Sequence, residues 1–150
     1  MMLSPHMGMS YFCPYPGATP LIESDYRADP TDRTLLGHSW AGQFALYMLF
    51  QQPHLFQRYV VASAYIDLDA EQKYAAHHDS LPVRLHLVQD IVGGTADPNN
   101  EDHSRFTSFV SSMESQQYTG LRLTHQFVLN STHCAMMAPA FQTGLVAVFA

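Results

Sequence analysis

From about Leu21 onward, short runs of β-branched and aliphatic residues alternate with longer segments that have helical spacing. This alternation is typical of βα units, in which each helix carries the chain back to begin a further parallel strand. The strands are predicted around residues 34–36, 59–62, 83–88 and 121–129. The fold class is therefore predicted to be α/β, a three-layer sandwich with a mostly parallel sheet.

Composition and charge exclude several classes of protein. With 47% apolar residues, a chain of 150 residues can bury one substantial core. Seven Lys and Arg against 13 Asp and Glu give a formal charge of −6 without a basic cluster, which argues against nucleic acid and anionic membrane surfaces as partners. Two cysteines make no disulfide framework, and no secretory signal or long apolar run is present. We therefore expect a cytoplasmic protein.

The strongest chemical signal is the sequence GHSWAG, between the first strand and the helix that follows it. A serine at such a junction is typical of a nucleophile elbow, where the positions two before and two after the serine need small side chains. Gly37 and Ala41 meet this need. Ser39 is thus the candidate nucleophile, and the backbone N–H of Trp40 is a candidate donor to an oxyanion. An ordinary turn at the strand end is the alternative.

A serine nucleophile needs a base, and in this arrangement the acid and the histidine come later in the chain. His133 lies in a polar turn between the fourth strand and the last helix, where such a base belongs. We expect His38 to point away from Ser39, as a structural residue beneath the turn. His86 and His125 lie inside predicted strands and are expected to be half-buried or hydrogen-bonded there.

The acid of the site is expected in the loop after the third strand, where a carboxylate could orient the imidazole. Asp97 is favoured because it follows the Gly93-Gly94 turn, and Asp90, at the strand end, is the main alternative. Lesser candidates are Asp102, Asp67 and Asp69.

Several segments resemble the putative esterase family of α/β-hydrolases, which includes esterase D-like enzymes and iron-enterobactin and related siderophore esterases. The segments are YRADP (26–30), GHSWAGQFALY (37–47), PHLF (53–56), VGGT (92–95), GLRL (120–123), and Thr132-His133 followed by Pro139 and Gly144. The resemblance implies Ser39 as nucleophile and His133 as base, with no cofactor. Family members usually carry an acidic residue in the loop after Gly-Gly, where this chain has Thr95-Ala96-Asp97. The acid has therefore moved by one position or been lost, which would leave a Ser–His dyad.

The front of the chain departs from this family. Only 38 residues precede Ser39, and they contain no HGGG-like run and no convincing strand pair. We therefore expect a truncated α/β-hydrolase fold that lacks the N-terminal strands, with an irregular segment over 1–20 and a partial domain over 21–150. An open sheet edge and the low charged content, 13%, predict self-association through that edge.

These observations predict a serine carboxyl-ester hydrolase that acts on a small-molecule ester through an acyl-enzyme, with the triad Ser39, His133 and Asp97. Acyl transfer to an acceptor other than water would use the same residues. The alternative from another class is a catalytically silent hydrolase fragment that acts at most as an interaction module.

Overall fold

The computed structural model describes residues 23–91 and 101–150. The chain divides into two compact units, 1–31 and 32–150. In the first unit, residues 23–25 form a single helical turn, and the Asp29 carboxylate accepts hydrogen bonds from the backbone N–H and the hydroxyl of Thr31. The boundary expected after residue 20 lies outside the described residues and stays a prediction.

Strands and helices alternate along the second unit. They are β1 (Thr34–His38), α1 (Trp40–Gln51), β2 (Arg58–Ala62), α2 (Leu68–Ala75), β3 (Arg84–Ile91), α3 (Glu101–Gln116), β4 (Arg122–Leu129) and α4 (Met137–Phe149). The strands form one sheet in the order β1-β2-β3-β4, and every neighbouring pair is parallel. The predicted α/β class with a parallel sheet is confirmed.

Helices cover both faces of this sheet, as is usual for parallel sheets. One face packs against α1, α2 and α3 in a core that includes Leu49, Tyr59, Leu85, Leu87 and Phe109. On the other face, Ala62 and Val88 pack against Met136 and Ala140, which lie at the start of α4. The described fold therefore has three layers.

A buried carboxylate ties α2 to the end of α3. Glu71 of α2 is 1% exposed and accepts hydrogen bonds from the Ser112 hydroxyl at 2.7 Å and the Tyr118 hydroxyl at 2.9 Å. Burying a carboxylate is costly unless donors replace the water that it loses. Burial, with the hydrogen bond to Glu71, raises the pKa of Tyr118 well above its usual value, so this donor keeps its proton.

The end of α3 departs from the usual preference for glycine after a helix. α3 ends at Gln116, before Gly120, and Gln117 takes the left-handed conformation with φ 51°. Gly120, with φ 87°, shapes the turn before β4 instead. A Cβ on Gly120 would lie 3.0 Å from Pro82 Cα, so this turn packs closely against the segment that leads into β3.

The structure bears only indirectly on the expected cellular location and on the expected self-association. Within the described ranges, no helix is both long and apolar enough to cross a membrane, and a cytoplasmic location stays a prediction. β1 stands at one end of the described sheet, and several apolar side chains of α4 are exposed. These are Met137, Leu145, Val146 and Phe149. Self-association through the sheet edge likewise stays a prediction.

His86 is buried on the α4 face of β3. Its side chain is 4% exposed, and its Nδ1 lies 2.7 Å from the Thr124 hydroxyl oxygen. Its Nε2 is buried and has no hydrogen-bond partner among the described residues. Burial, and secondarily the charge of His125, lower the pKa of His86 because a second proton would place an uncompensated charge in the core. His125 itself is exposed, because it lies on the last strand of the sheet.

This burial predicts a stability that depends on pH. Between the lowered pKa of folded His86 and the unfolded value of about 6.5, the unfolded chain binds a proton that the folded chain does not. The free energy of unfolding should therefore fall as the pH drops below about 6.5 and should carry no His86 contribution above it. Urea midpoints from pH 5 to 8 should show a smaller slope for His86→Gln than for the original chain. His54→Gln, at an exposed position, is the control, and an equal slope in His86→Gln would contradict the assignment.

Candidate active site

Ser39 makes the whole connection between a strand and a helix. β1 ends at His38 and α1 begins at Trp40, so the chain reverses at one residue, with φ 57° and ψ −121°. Residues other than glycine rarely adopt this backbone conformation, and it persists only where neighbouring structure enforces it. The Ser39 N–H donates to the Ala62 carbonyl of the adjacent strand at 2.9 Å, and its carbonyl accepts the first α1 hydrogen bond from Gln43 at 3.0 Å.

The turn leaves no room for side chains on its inner side. A Cβ on Gly37 would lie 2.2 Å from the Ala41 carbonyl oxygen, and one on Gly42 would lie 2.9 Å from Ala64 Cβ. Both distances are well inside van der Waals contact, and the Gly37 clash is with backbone that cannot rotate away. Gly37 is therefore required by the close approach of α1 to β1, and Gly42 by the close approach of α1 to the segment after β2.

The Ser39 side chain is not committed to the helix that it precedes. Serine at the first position before a helix usually caps a backbone N–H, but the Ser39 hydroxyl makes no such bond. The first N–H groups of α1, including that of Trp40, lack acceptors within the helix and carry its positive end. An uncommitted hydroxyl thus stands beside backbone donors suited to a developing negative charge.

His133 is held next to the end of β1. The His38 imidazole donates from Nε2 to the His133 carbonyl oxygen at 2.7 Å, and the two ring centroids are 4.5 Å apart. A carbonyl can only accept, so Nε2 of His38 carries the proton in this contact. His38 was expected to be a structural residue turned away from Ser39. Its imidazole contacts the segment that carries the candidate base, across 95 positions of sequence.

Asp90 lies at the same end of the sheet as Ser39 and is the next-to-last residue of β3. It is half-buried and accepts hydrogen bonds from the Ser63 hydroxyl and, at 3.2 Å, from the Gln89 side-chain amide. Ser63 follows β2 directly, is 6% exposed and has φ 43°. A buried serine with an unusual backbone conformation therefore orients one of the two main candidate acids.

The other candidate acids are placed differently. Asp97, with the Gly93-Gly94 turn, lies outside the described residues. Asp67 caps α2 by accepting the Asp69 N–H at 3.0 Å, while Asp69 and Asp102 lie in the first turns of α2 and α3. First-turn carboxylates stabilise a helix N-terminus, which accounts for these three residues without chemistry.

The parallel sheet gathers Ser39, Asp90 and the His133 turn at the carboxyl ends of its strands, where α/β folds commonly bind ligands. Among the described residues, no hydrogen bond joins Ser39 to His133. Nor does any group of three or more His, Cys, Asp or Glu in the described ranges have an arrangement that could hold a metal. The sequence analysis did not include His38 and Ser63 among the candidate site residues at the carboxyl ends of the strands. Their positions were a signal, because His38 ends β1 and Ser63 directly follows β2.

Residues 19–142 match the model of a protein family described as Putative esterase. The chain belongs to this esterase family. No curated protein sequence matches the chain. Among solved structures, the chain is similar to an IroE-like serine hydrolase from Shewanella oneidensis, with 19% identity and a TM-score of 0.71 over 84% of this chain and 42% of that one.

Two further solved structures have the same fold. The BES protein from Bacillus cereus is 21% identical, with a TM-score of 0.68 over 86% of this chain and 49% of that one. The siderophore hydrolase EstA from Aspergillus nidulans is 20% identical, with a TM-score of 0.60 over 75% of this chain and 46% of that one. The chain thus spans less than half the length of each of these three proteins.

The strained turn predicts that glycine at position 39 stabilises the fold. A positive φ with ψ −121° costs a residue with a side chain about 1–3 kcal/mol, whereas glycine adopts it freely at a smaller entropic cost. Ser39→Gly should therefore raise the free energy of unfolding by about 1 kcal/mol, measured by urea denaturation. Ser39→Ala removes the same hydroxyl but keeps Cβ, so it is the matched control and should gain nothing. A gain in both variants would trace the effect to the hydroxyl rather than to the backbone.

Proposed function

We propose that this chain carries the chemistry of a serine carboxyl-ester hydrolase that works through an acyl-enzyme, with Ser39 as nucleophile and His133 as base. The observation that carries the proposal is the turn at Ser39. It presents an uncommitted hydroxyl at the end of a parallel strand and beside a helix N-terminus, in a chain that belongs to an esterase family. A nucleophile elbow likewise places its serine on a sharp turn between a strand and a helix, which supports the proposal.

The reaction would proceed in two halves. His133 takes the proton of Ser39 as Oγ bonds to the ester carbonyl carbon, and the carbonyl oxygen becomes an oxyanion that the Trp40 N–H stabilises. The bond to the alcohol oxygen then breaks, and the imidazolium returns its proton to the departing alcohol. Water, deprotonated by His133, attacks the acyl-enzyme in the second half, which releases the acid and restores the Ser39 hydroxyl.

His38 would act as a positioning residue in this reaction. It is joined to Ser39 by one peptide bond and holds the His133 carbonyl through its Nε2–H at 2.7 Å. The nucleophile and the base are thereby connected through one side chain, so the separation of their backbones depends on it. A base misplaced by about 1 Å can lower a rate about a hundredfold.

The acid of the triad is proposed to be Asp97, with Asp90 as the alternative. Asp90 has support from its surroundings, since the donors Ser63 and Gln89 fix its carboxylate at the strand edge that carries Ser39. With neither acid, a Ser39–His133 dyad would remain, in which His38 alone helps to hold the base.

The substrate is proposed to be a small-molecule ester with a bulky or aromatic acyl group. Trp40 is 59% exposed and Tyr65, shortly after β2, is 43% exposed, so both side chains could flank such a group. Tyr65 is also covered on one face by the Arg105 guanidinium, 4.9 Å from its ring centroid. Siderophore esters are one candidate class, because the similar solved structure EstA is named as a siderophore hydrolase.

A fluorophosphonate probe and a panel of p-nitrophenyl esters test the proposal on the purified chain. Ser39 should be labelled, and both labelling and ester hydrolysis should be lost in Ser39→Ala and His133→Ala. Ser108→Ala and His54→Ala, at exposed positions, are the matched controls and should behave as the original chain. Asp90→Asn and Asp97→Asn, made in parallel, assign the acid by which of them lowers kcat. If the original chain is not labelled at any pH, the chain is a catalytically silent fragment.

A separate set of variants tests the role of His38. His38→Ala should lower kcat by about ten- to a hundredfold with little change in KM, because the base is displaced while the substrate surface is intact. His38→Gln places an amide N–H near the position of Nε2 and should restore part of the loss. Equal unfolding midpoints for the two variants would exclude a general loss of structure. If His38→Ala keeps full kcat while His133→Ala is inactive, His38 has no positioning role.

A further inference from the structure

Three neighbouring strands begin with arginines, and these lie at the opposite end of the strands from Ser39. Arg58 begins β2, Arg84 begins β3 and Arg122 begins β4, and the strand register pairs Arg58 with Arg84 and Arg84 with Arg122. Neighbouring strands are about 4.8 Å apart, and residues paired in a parallel register point to the same face. The three guanidinium groups therefore form a row on the α4 face of the sheet, which we term the arginine row.

Only part of this positive charge is balanced. Arg58 forms an ion pair with Asp32, and its guanidinium lies 4.2 Å from the centroid of the Phe149 ring. Arg84 donates to the Val148 carbonyl at 3.0 Å, near the end of α4. Among the described residues, the ion pair with Asp32 balances one of the three guanidinium charges. Since the whole chain has a formal charge of −6, the row is a local concentration and not a result of basic composition.

A groove with a volume of about 300 Å³ runs along the arginine row. Besides the arginines, its walls are formed by Gln57, Pro82, Val83 and Gly120. Two of these walls are packed against each other, because a Cβ on Gly120 would lie 3.0 Å from Pro82 Cα. The groove is therefore shaped by backbone turns and does not depend on mobile side chains alone.

The guanidinium groups of the arginine row keep donors that the described residues do not use. The Nε of Arg58 is buried and has no hydrogen-bond partner among the described residues. Each guanidinium has five N–H donors, and the partners of Arg58 and Arg84 described above occupy one on each. Arg122 is exposed and presents its donors to the groove.

We propose that the arginine row binds a small phosphorylated ligand. The planar guanidinium fork matches the geometry of two phosphate oxygens, and three forks in register suit a group with more than one negative charge. A volume of about 300 Å³ is at the lower end for ligand pockets, which favours a small molecule with one or two phosphates over a polymer. The groove lies at the opposite strand ends from Ser39, so this binding does not require that the chain hydrolyse esters.

Titration calorimetry of the full chain with inorganic pyrophosphate, at constant ionic strength, tests the proposal. Binding should be detected, and Arg122→Gln should weaken it about tenfold, since a charge-assisted contact is lost. Arg105→Gln removes an equal charge from α3, where Arg105 pairs with Glu101, and should leave the affinity unchanged. Arg122 is exposed, and unfolding midpoints verify that both variants fold.

Citrate serves as a second ligand, because it has similar charge but carboxylate geometry. Weaker binding of citrate than of pyrophosphate supports a phosphate site. Citrate binding that equals or exceeds that of pyrophosphate would overturn the assignment to a phosphorylated ligand. An absence of pyrophosphate binding, or equal losses in Arg122→Gln and Arg105→Gln, would overturn the site itself.

Discussion

Parallel pairing in one register is the constraint on which the rest of this structure depends. Strands that all run in one direction need a crossover between each pair. The three crossover helices, α1, α2 and α3, lie on one face of the sheet, and α4, which follows the last described strand, covers the other. The same register brings the residues at the carboxyl ends of the strands to one end of the sheet. Ser39, Ser63 and Asp90 come together for this reason, although 51 positions separate the first from the last.

The strained backbone at Ser39 is supported from the neighbouring strand. The Ala62 carbonyl holds the Ser39 N–H, and the missing side chain of Gly37 lets α1 approach β1 closely. Ser63 has the same arrangement at the end of β2. Its N–H donates to the Val88 carbonyl at 2.8 Å, and its φ is also positive. Two successive strands thus end in serines whose conformations are fixed by the next strand in the sheet.

The sequence predicts those features that depend on local pattern. The four strands and the position of the Ser39 turn follow from apolar runs, helical spacing and small residues at close range. The contact between His38 and His133 could not be predicted, because it joins distant positions through a turn whose path no periodicity encodes. His86 and His125 show the same limit. Both lie in strands, but one is buried under α4 and the other is exposed on the last strand.

The end of α3 shows a different limit. Glycine is the usual residue at a helix C-terminus, yet Gln117 accepts the left-handed conformation there, and Gly120 is used where the chain passes Pro82. Local helix preference would place a glycine at position 117, whereas the close contact with Pro82 requires one at position 120. The tertiary contact therefore determines where the glycine lies.

Gly144 makes the site vulnerable to sequence change at a distance. A Cβ there would lie 2.3 Å from Cγ1 of Val60, a β-branched side chain that cannot easily rotate away. Any larger residue would push α4 off the sheet, and a rigid helix transmits such a shift to its first turn, directly after the His133 segment. Evolutionary drift at position 144 is therefore restricted by the placement of a histidine that Gly144 never touches.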